Sequence, residues 1–247
     1  MIGKRARTPV LLAAVVIAAS GCGGTAGLSP GSRSAYASTP SPGPSQAASG
    51  QPAATIISQM KTAMLDARSV HLAGNLRSHG TAVGLDVSMD RSGAFSGSID
   101  NAGTRLDIVD TSKRVYVKVT SAFLKLSGAR ASACQRACGK FVAAPAGLAS
   151  SIGGDLTMEK LLGNVRQALP SYVKAGLTTI TGQQALVLHG SDGSTLYVAA
   201  TGTRYPLRAV AARPGNAGAL DFSDWNAVPA ITAPPASQVI SIGQLVG

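Results

Sequence analysis

The stretch Val83-Gly84-Leu85-Asp86-Val87-Ser88-Met89 places an apolar side chain at every second position, with a small or polar residue between. Successive residues of an extended chain point to opposite faces, so this alternation predicts a β-strand with one apolar face and one solvated face. Working outward, similar short runs occur at 70–76, 105–109, 115–119, 185–188, 195–199, 207–211 and 220–222. Turn signals separate them: His79-Gly80, Arg91-Ser92-Gly93, Asn101-Ala102-Gly103, Asp192-Gly193, Thr201-Gly202 and Pro214-Gly215-Asn216. Asp192-Gly193 is the sharpest, predicting a tight hairpin with positive φ at both central residues. Strands joined by close turns pair with their sequence neighbours, which predicts an antiparallel sheet.

An apolar sheet face has to be covered, and two helical patterns are available to cover it. From Thr55 to Arg68, Ile56, Ile57, Met60, Ala63, Met64 and Ala67 recur at helical spacing, with Thr55 as N-cap. From about Leu156 to Leu169, Leu161, Leu162, Val165 and Leu169 form a second stripe; Asp155 or Thr157 would cap it and Pro170 stop it. The span from about Ala122 to Leu169 is otherwise a non-strand break. The expected fold class is α+β: a curved antiparallel sheet, curled into a half-barrel and covered on its concave face by helices. Ile57, Met60, Met64, Leu161, Leu162, Val165 and Leu169 should then face Val83, Leu85, Val87 and Met89. The space between is either packed solid or left as an apolar cavity. Met60, Met64, Met89 and Met158 suit an adaptable lining, although ordinary core packing explains methionines equally well.

The N-terminus carries a different kind of information. Lys4, Arg5 and Arg7 precede an apolar stretch from Val10 to Ala19, and Ala19-Ser20-Gly21-Cys22 follows. This is the layout of a secretory signal peptide, too short in its apolar part to span a bilayer. Its small-small-Cys ending resembles the bacterial lipobox, in which the cysteine is acylated and becomes the new N-terminus. Residues 23–52 are almost wholly Gly, Ser, Ala, Pro and Thr, with Arg33 the single charge. Such a segment buries too little apolar surface to offset its conformational entropy, and predicts a tether with a mean reach of roughly 30 Å. The expected organisation is a signal peptide over 1–21, a lipidated Cys22 and tether over 22–52, and one domain over 53–247. The expected location is extracytoplasmic, anchored by Cys22 to the outer face of the cytoplasmic membrane.

The chain carries a formal net charge of +11, and removing the three signal-peptide cations leaves +8. The densest groups are Lys113-Arg114 and the stretch with Arg130, Arg136 and Lys140. Aromatic residues do not interleave with them, which speaks against a nucleic-acid partner; anionic head groups or wall polymers suit the charge better. Cys134 and Cys138 form an isolated pair in an exported chain, which predicts a disulfide across one helical turn. A metal reading would need two further ligands, and none is expected. His71, His79 and His189 lie far apart, Glu159 is the sole glutamate, and no nucleophile-elbow, zincin or phosphate-loop motif occurs. The expectation is a non-enzyme with no catalytic residue and no cofactor.

Several further stretches share an order and spacing. They are Met64-Leu65-Asp66-Ala67-Arg68-Ser69-Val70-His71-Leu72-Ala73-Gly74, Arg114-Val115-Tyr116-Val117-Lys118, Gly139-Lys140-Phe141-Val142, 181–188, 196–208 and Asp221-Phe222-Ser223-Asp224-Trp225. Together with the lipobox they resemble the LppX/LprAFG family of actinobacterial lipoproteins, whose fold is similar to that of the carrier LolA. Phe141 departs from the Trp expected there, and the cysteine pair is a second departure. The resemblance implies a half-barrel with a cavity for the acyl chains of lipids or glycolipids, and a role in holding or moving lipids in the cell envelope. It does not identify a protein partner. The alternative is a tethered structural or adaptor lipoprotein whose core is filled and takes no ligand.

Overall fold

The computed structural model describes residues 50–78, 80–144, 157–166, 169–213 and 216–246. Cys22, the tether, His79, Asp155 and the Pro214-Gly215 turn therefore lie outside the described residues. Helix α1 (Ala53–Asp66) leads into β1 (Ser69–Ser78), followed by β2 (Thr81–Asp90), β3 (Phe95–Asn101), β4 (Thr104–Asp110) and β5 (Val115–Lys118). Two short helices, α2 (Ser121–Ser127) and α3 (Cys134–Ala137), precede β6 (Phe141–Ala143). Helix α4 (Met158–Arg166) then leads to β7 (Tyr172–Ile180), β8 (Gln183–Gly190), β9 (Thr195–Ala199), β10 (Pro206–Arg213) and β11 (Asn216–Ser223). A two-residue β12 (Val239–Ile240) and a short α5 (Gly243–Val246) end the chain.

The strands form one 12-stranded open sheet in the order β12-β6-β5-β4-β3-β2-β1-β11-β10-β9-β8-β7. Two meanders, β1 to β6 and β7 to β11, are joined where the first strand of one pairs with the last strand of the other, with Leu72 opposite Phe222. All pairings are antiparallel except that of β12 with β6. Curvature has a residue-level cause. Gly74 of β1 and Gly97 of β3 hold φ of +157° and +146°, and a Cβ on either would overlap a backbone carbonyl, that of Ala219 or that of Asp86. Glycine at these points lets neighbouring strands close in and the sheet bend.

Each helix begins differently from its neighbour. Thr55 is not the N-cap of α1: the helix starts two residues earlier, and the Pro52 carbonyl accepts the Thr55 and Ile56 N–H groups at 3.1 and 3.2 Å. For α4 the Thr157 side chain is the cap, its Oγ1 accepting the Lys160 N–H at 3.2 Å. Helix α2, inside the supposed non-strand break, is capped by Thr120 Oγ1 and ended by Gly128 at φ 72°. That break also contains β6. Strands β3, β6, β7 and β12 escape the alternation rule for local reasons. β3 reads Phe-Ser-Gly-Ser-Ile-Asp-Asn, β6 and β12 are three and two residues long, and β7 loses its period at a register shift between Lys174 and Gly176.

The Asp192-Gly193 hairpin forms, but not as a two-residue turn. Only Gly193 has positive φ, while Asp192 Oδ1 accepts the Ser194 N–H at 3.0 Å and closes a longer loop. Among the described residues, Ala102-Gly103 and Thr181-Gly182 form two-residue turns with positive φ at both positions.

Candidate functional site

Directly paired residues of an antiparallel ladder share a face, so the apolar face can be followed strand by strand. One transverse row runs Leu106, Ile99, Leu85, Gly74, Leu220, Ala209, Leu196, Leu188. A neighbouring row, through Leu72 and Val87, continues to Gly97, Ile108, Val117 and Val142. Helices α1 and α4 touch each other, and Ile56, Met60, Met64, Met158, Leu162 and Val165 are buried in one cluster with these strand residues.

Every residue that the sequence assigns to a cavity belongs to this cluster, in two states of cover. Met60, Met64, Val87 and Met89 are 3, 3, 1 and 2 % exposed, and Leu162 and Val165 are also buried. Ile57, Val83, Leu85, Leu161 and Leu169 are only half-buried against it. Leu169 lies beyond the end of α4. Cover falls along β2 from Met89 toward Val83, and Leu106, Leu220, Ala209 and Leu196 are half-buried with it. The face is thus half open at one end over these strands, while Val117, Val119 and Leu188 at that end are buried. The open end is where the β1–β2 and β3–β4 turns lie, and where β5 finishes and β7 begins. Ile56, Phe95, Ile108 and Leu186, all buried at the centre, are missing from the sequence-assigned set. Burial of Phe95, Ile108 and Leu186 depends on which strands become neighbours, for which a local pattern carries no signal, whereas Ile56 already stands in the apolar stripe of α1.

The closed end is sealed by aromatic stacking. Trp225 stacks on Tyr205 with ring centroids 4.6 Å apart, and its Nε1–H donates to the Pro206 carbonyl at 3.1 Å. At the open end the Tyr172 hydroxyl lies 3.1 Å from Ser194 Oγ, beside Asp192, whose other oxygen accepts from Arg213 at 2.8 Å. Burial pushes the Tyr172 hydroxyl above its ordinary pKa. Burial alone would also raise Asp192, but the hydrogen bonds from Ser194 and the nearby Arg213 outweigh it and hold the carboxyl below its ordinary range.

The opposite face of the sheet is polar. His71 Nε2 lies 2.9 Å from Asp86 Oδ1 and its Nδ1 3.0 Å from Ser223 Oγ, tying β11, β1 and β2 together. The three residues are far apart in sequence, and only the strand order makes them neighbours. Asp86 is 63 % exposed, which fits a solvated cross-strand link. Arg208 and Asp221 form a two-pronged pair on the same face, and the hydrogen bond that Arg208 donates to Asp221 raises the Arg208 pKa further. A cleft of about 280 Å³ on this face is lined by Asp86, Ser98, Arg105, Asp107, Lys118 and Phe141 among others. A second, of about 490 Å³, lies between the outer side of α1 and the β9–β10 loop around Arg204. Neither is lined by a residue of the sequence-assigned cavity. Among the described residues no cluster of His, Cys, Asp or Glu could hold a metal ion, and no helix is long and apolar enough to cross a membrane. Cys134 and Cys138 are joined by a disulfide, with Cα atoms 4.6 Å apart across α3.

With this geometry in view, the chain can be compared with known proteins. The structure of LprF from Mycobacterium bovis matches it with a TM-score of 0.54 at 17 % identity, covering 75 % of this chain and 99 % of LprF. In fold, this chain is similar to LprF. The lipoprotein LppX of Mycobacterium tuberculosis aligns at 15 % identity over 72 % of this chain and 97 % of its own, with a TM-score of 0.47. No protein-family model and no curated protein sequence matches the chain. Of the expected half-barrel, the large, mostly antiparallel, open and curved sheet is observed, with few helices.

Proposed function

We propose that this chain is an exported lipoprotein that holds the alkyl part of a lipid or glycolipid between sheet and helices. The N-terminal residues act as a signal peptide, Cys22 is acylated, and residues 23–52 tether the domain to the outer face of the cell membrane. Helices α1 and α4 then lie over the concave face of the sheet. The observation that carries this reading is the graded cover of the apolar face: closed at Met89 and Val70, half open at Val83, Leu85, Leu106 and Leu220. An alkyl chain entering at the open end gains about 0.8 kcal/mol for each CH₂ it buries. Buried methionines on both α1 and α4 can shift rotamers to admit it.

A second reading, a structural or adaptor lipoprotein with a filled core, is favoured by the near-complete cover of Met60, Met64, Val87 and Met89. Mass spectrometry of organic extracts from purified, non-acylated protein separates the two. Co-purifying lipid in near-stoichiometric amount supports the carrier, and lipid-free protein that also rejects added fatty acid supports the filled core. The anchor is tested by detergent partition, where the wild type should enter the detergent phase and Cys22→Ala should remain an unprocessed precursor.

A further inference from the structure

Within the domain, the excess positive charge is confined to one stretch. Between Asp110 and Asp155 the chain has no acidic residue, yet it carries Lys113, Arg114, Lys118, Lys125, Arg130, Arg136 and Lys140. Elsewhere in the domain acids and bases nearly balance, and the ion pairs Arg105–Asp107, Arg208–Asp221 and Arg213–Asp192 join several of them. Among the described residues Lys125, Arg130 and Arg136 enter no such pair.

These three cations share one crossover. The segment from α2 to α3 buries Phe123, Leu124, Ala133 and Ala137 in the apolar cluster and turns its other side outward. That outer side carries Lys125, Arg130 and Arg136 among Ser121, Gly128, Ser132 and Gln135, all exposed. Small neighbours leave the charged groups free to approach a flat surface. The strand directions fix its location. β4 starts and β5 finishes at the same end of the sheet, because they are antiparallel. The crossover leaves β5 at that end, where its own Val119 and Phe123 are buried and the half-open stretch through Leu106, Leu85 and Val83 lies on the neighbouring strands.

We propose that this basic crossover docks the domain on the anionic phospholipid surface of a membrane, with the open end of the core toward the bilayer. Charge complementarity selects the surface, since each Lys or Arg near an anionic bilayer contributes about 1 kcal/mol. A tether over 23–52, as the sequence predicts, would have a mean reach of roughly 30 Å and keep the docked domain within range of its anchor. The orientation rests on the proposed lipid-holding role, whereas docking itself requires no cargo.

The test uses the chain from residue 22 onward, unacylated through Cys22→Ser, and sedimentation with vesicles of phosphatidylcholine alone or with 30 % phosphatidylglycerol (about 30 mol %, as used to mimic an anionic leaflet). Binding should require phosphatidylglycerol and vanish in high salt. Lys125→Glu/Arg130→Glu/Arg136→Glu should weaken it about 100-fold or more, and the corresponding Gln variant should weaken it less. A control of equal charge change at the opposite end and on α4, Arg68→Glu/Arg91→Glu/Lys160→Glu, should retain most of the binding. Thermal unfolding of each variant identifies loss of fold, and the Gln variant then decides. Equal binding to neutral vesicles, equal loss in the control, or no binding to anionic vesicles would overturn the proposal. Binding to an acidic protein or wall polymer with none to vesicles would overturn it too. Lipid extraction from the same preparation reports the cargo separately, so docking without cargo and cargo without docking remain distinct results.

Discussion

Leu85 of β2 stands directly opposite Gly74 of β1, and the missing side chain at Gly74 lets the Ala219 carbonyl of β11 crowd in from the other side. The row of apolar residues crosses the junction of the two meanders at this one glycine. Gly74→Ala adds a methyl group that meets backbone on an adjacent strand, at a φ that L residues rarely adopt. It should lower stability by about 2–4 kcal/mol. Gly182→Ala, at a turn with φ +83° and open space around it, should cost only about 1–2 kcal/mol of backbone strain. Urea unfolding of both variants checks the contrast, and equal midpoints would contradict it.

Leu85→Trp separates the two functional readings. Leu85 is half-buried in the open part of the apolar face. If that part receives an alkyl chain, indole occupies the space, lipid co-purification is lost and the melting temperature holds. If it is solid core in solution, the substitution overpacks it and costs about 1–3 kcal/mol. Lipid content and thermal unfolding measured on one sample give the answer.

Asp192 makes stability depend on pH in a definite direction. Its carboxyl titrates below the ordinary range in the folded protein, so the unfolded chain binds the proton more readily. The resulting stabilisation is fully present above an ordinary carboxylate pKa of about 4 and is lost as pH falls through the lower folded value. Asp192→Asn should therefore be less stable than wild type at neutral pH, and the gap should close on acidification below about pH 4. A gap that widens in acid would refute the assignment.

The Cys134–Cys138 bond closes a loop of a few residues, so it restricts the unfolded chain little. Replacing both cysteines with Ala should cost no more than about 2 kcal/mol and leave the sheet intact. Thiol titration of the native protein should find neither cysteine free. Two titratable thiols, or collapse of the fold in the double variant, would contradict this account.

What the sequence determined by itself is whatever depends on neighbours along the chain. Alternation exposed most of the strands, a helical stripe exposed α1 and α4, and Asn101-Ala102-Gly103 marked a two-residue turn, because each signal lies within a few residues. Where the local signal was weak or interrupted it failed: β3 is rich in Ser and Gly, β7 is broken by its register shift, and β6 and β12 are too short to show a period. The apolar stripe was legible, since Val83 to Met89 must share one face of any strand they form. Its division into a closed end and a half-open end was decided by the tertiary structure. That division depends on Trp225 stacking on Tyr205 over one end and on β11 closing against β1, a contact between segments about 150 residues apart. The His71–Asp86–Ser223 link has the same origin. Lys125, Arg130 and Arg136 are already close along the chain, and strand direction decides only at which end of the sheet they lie.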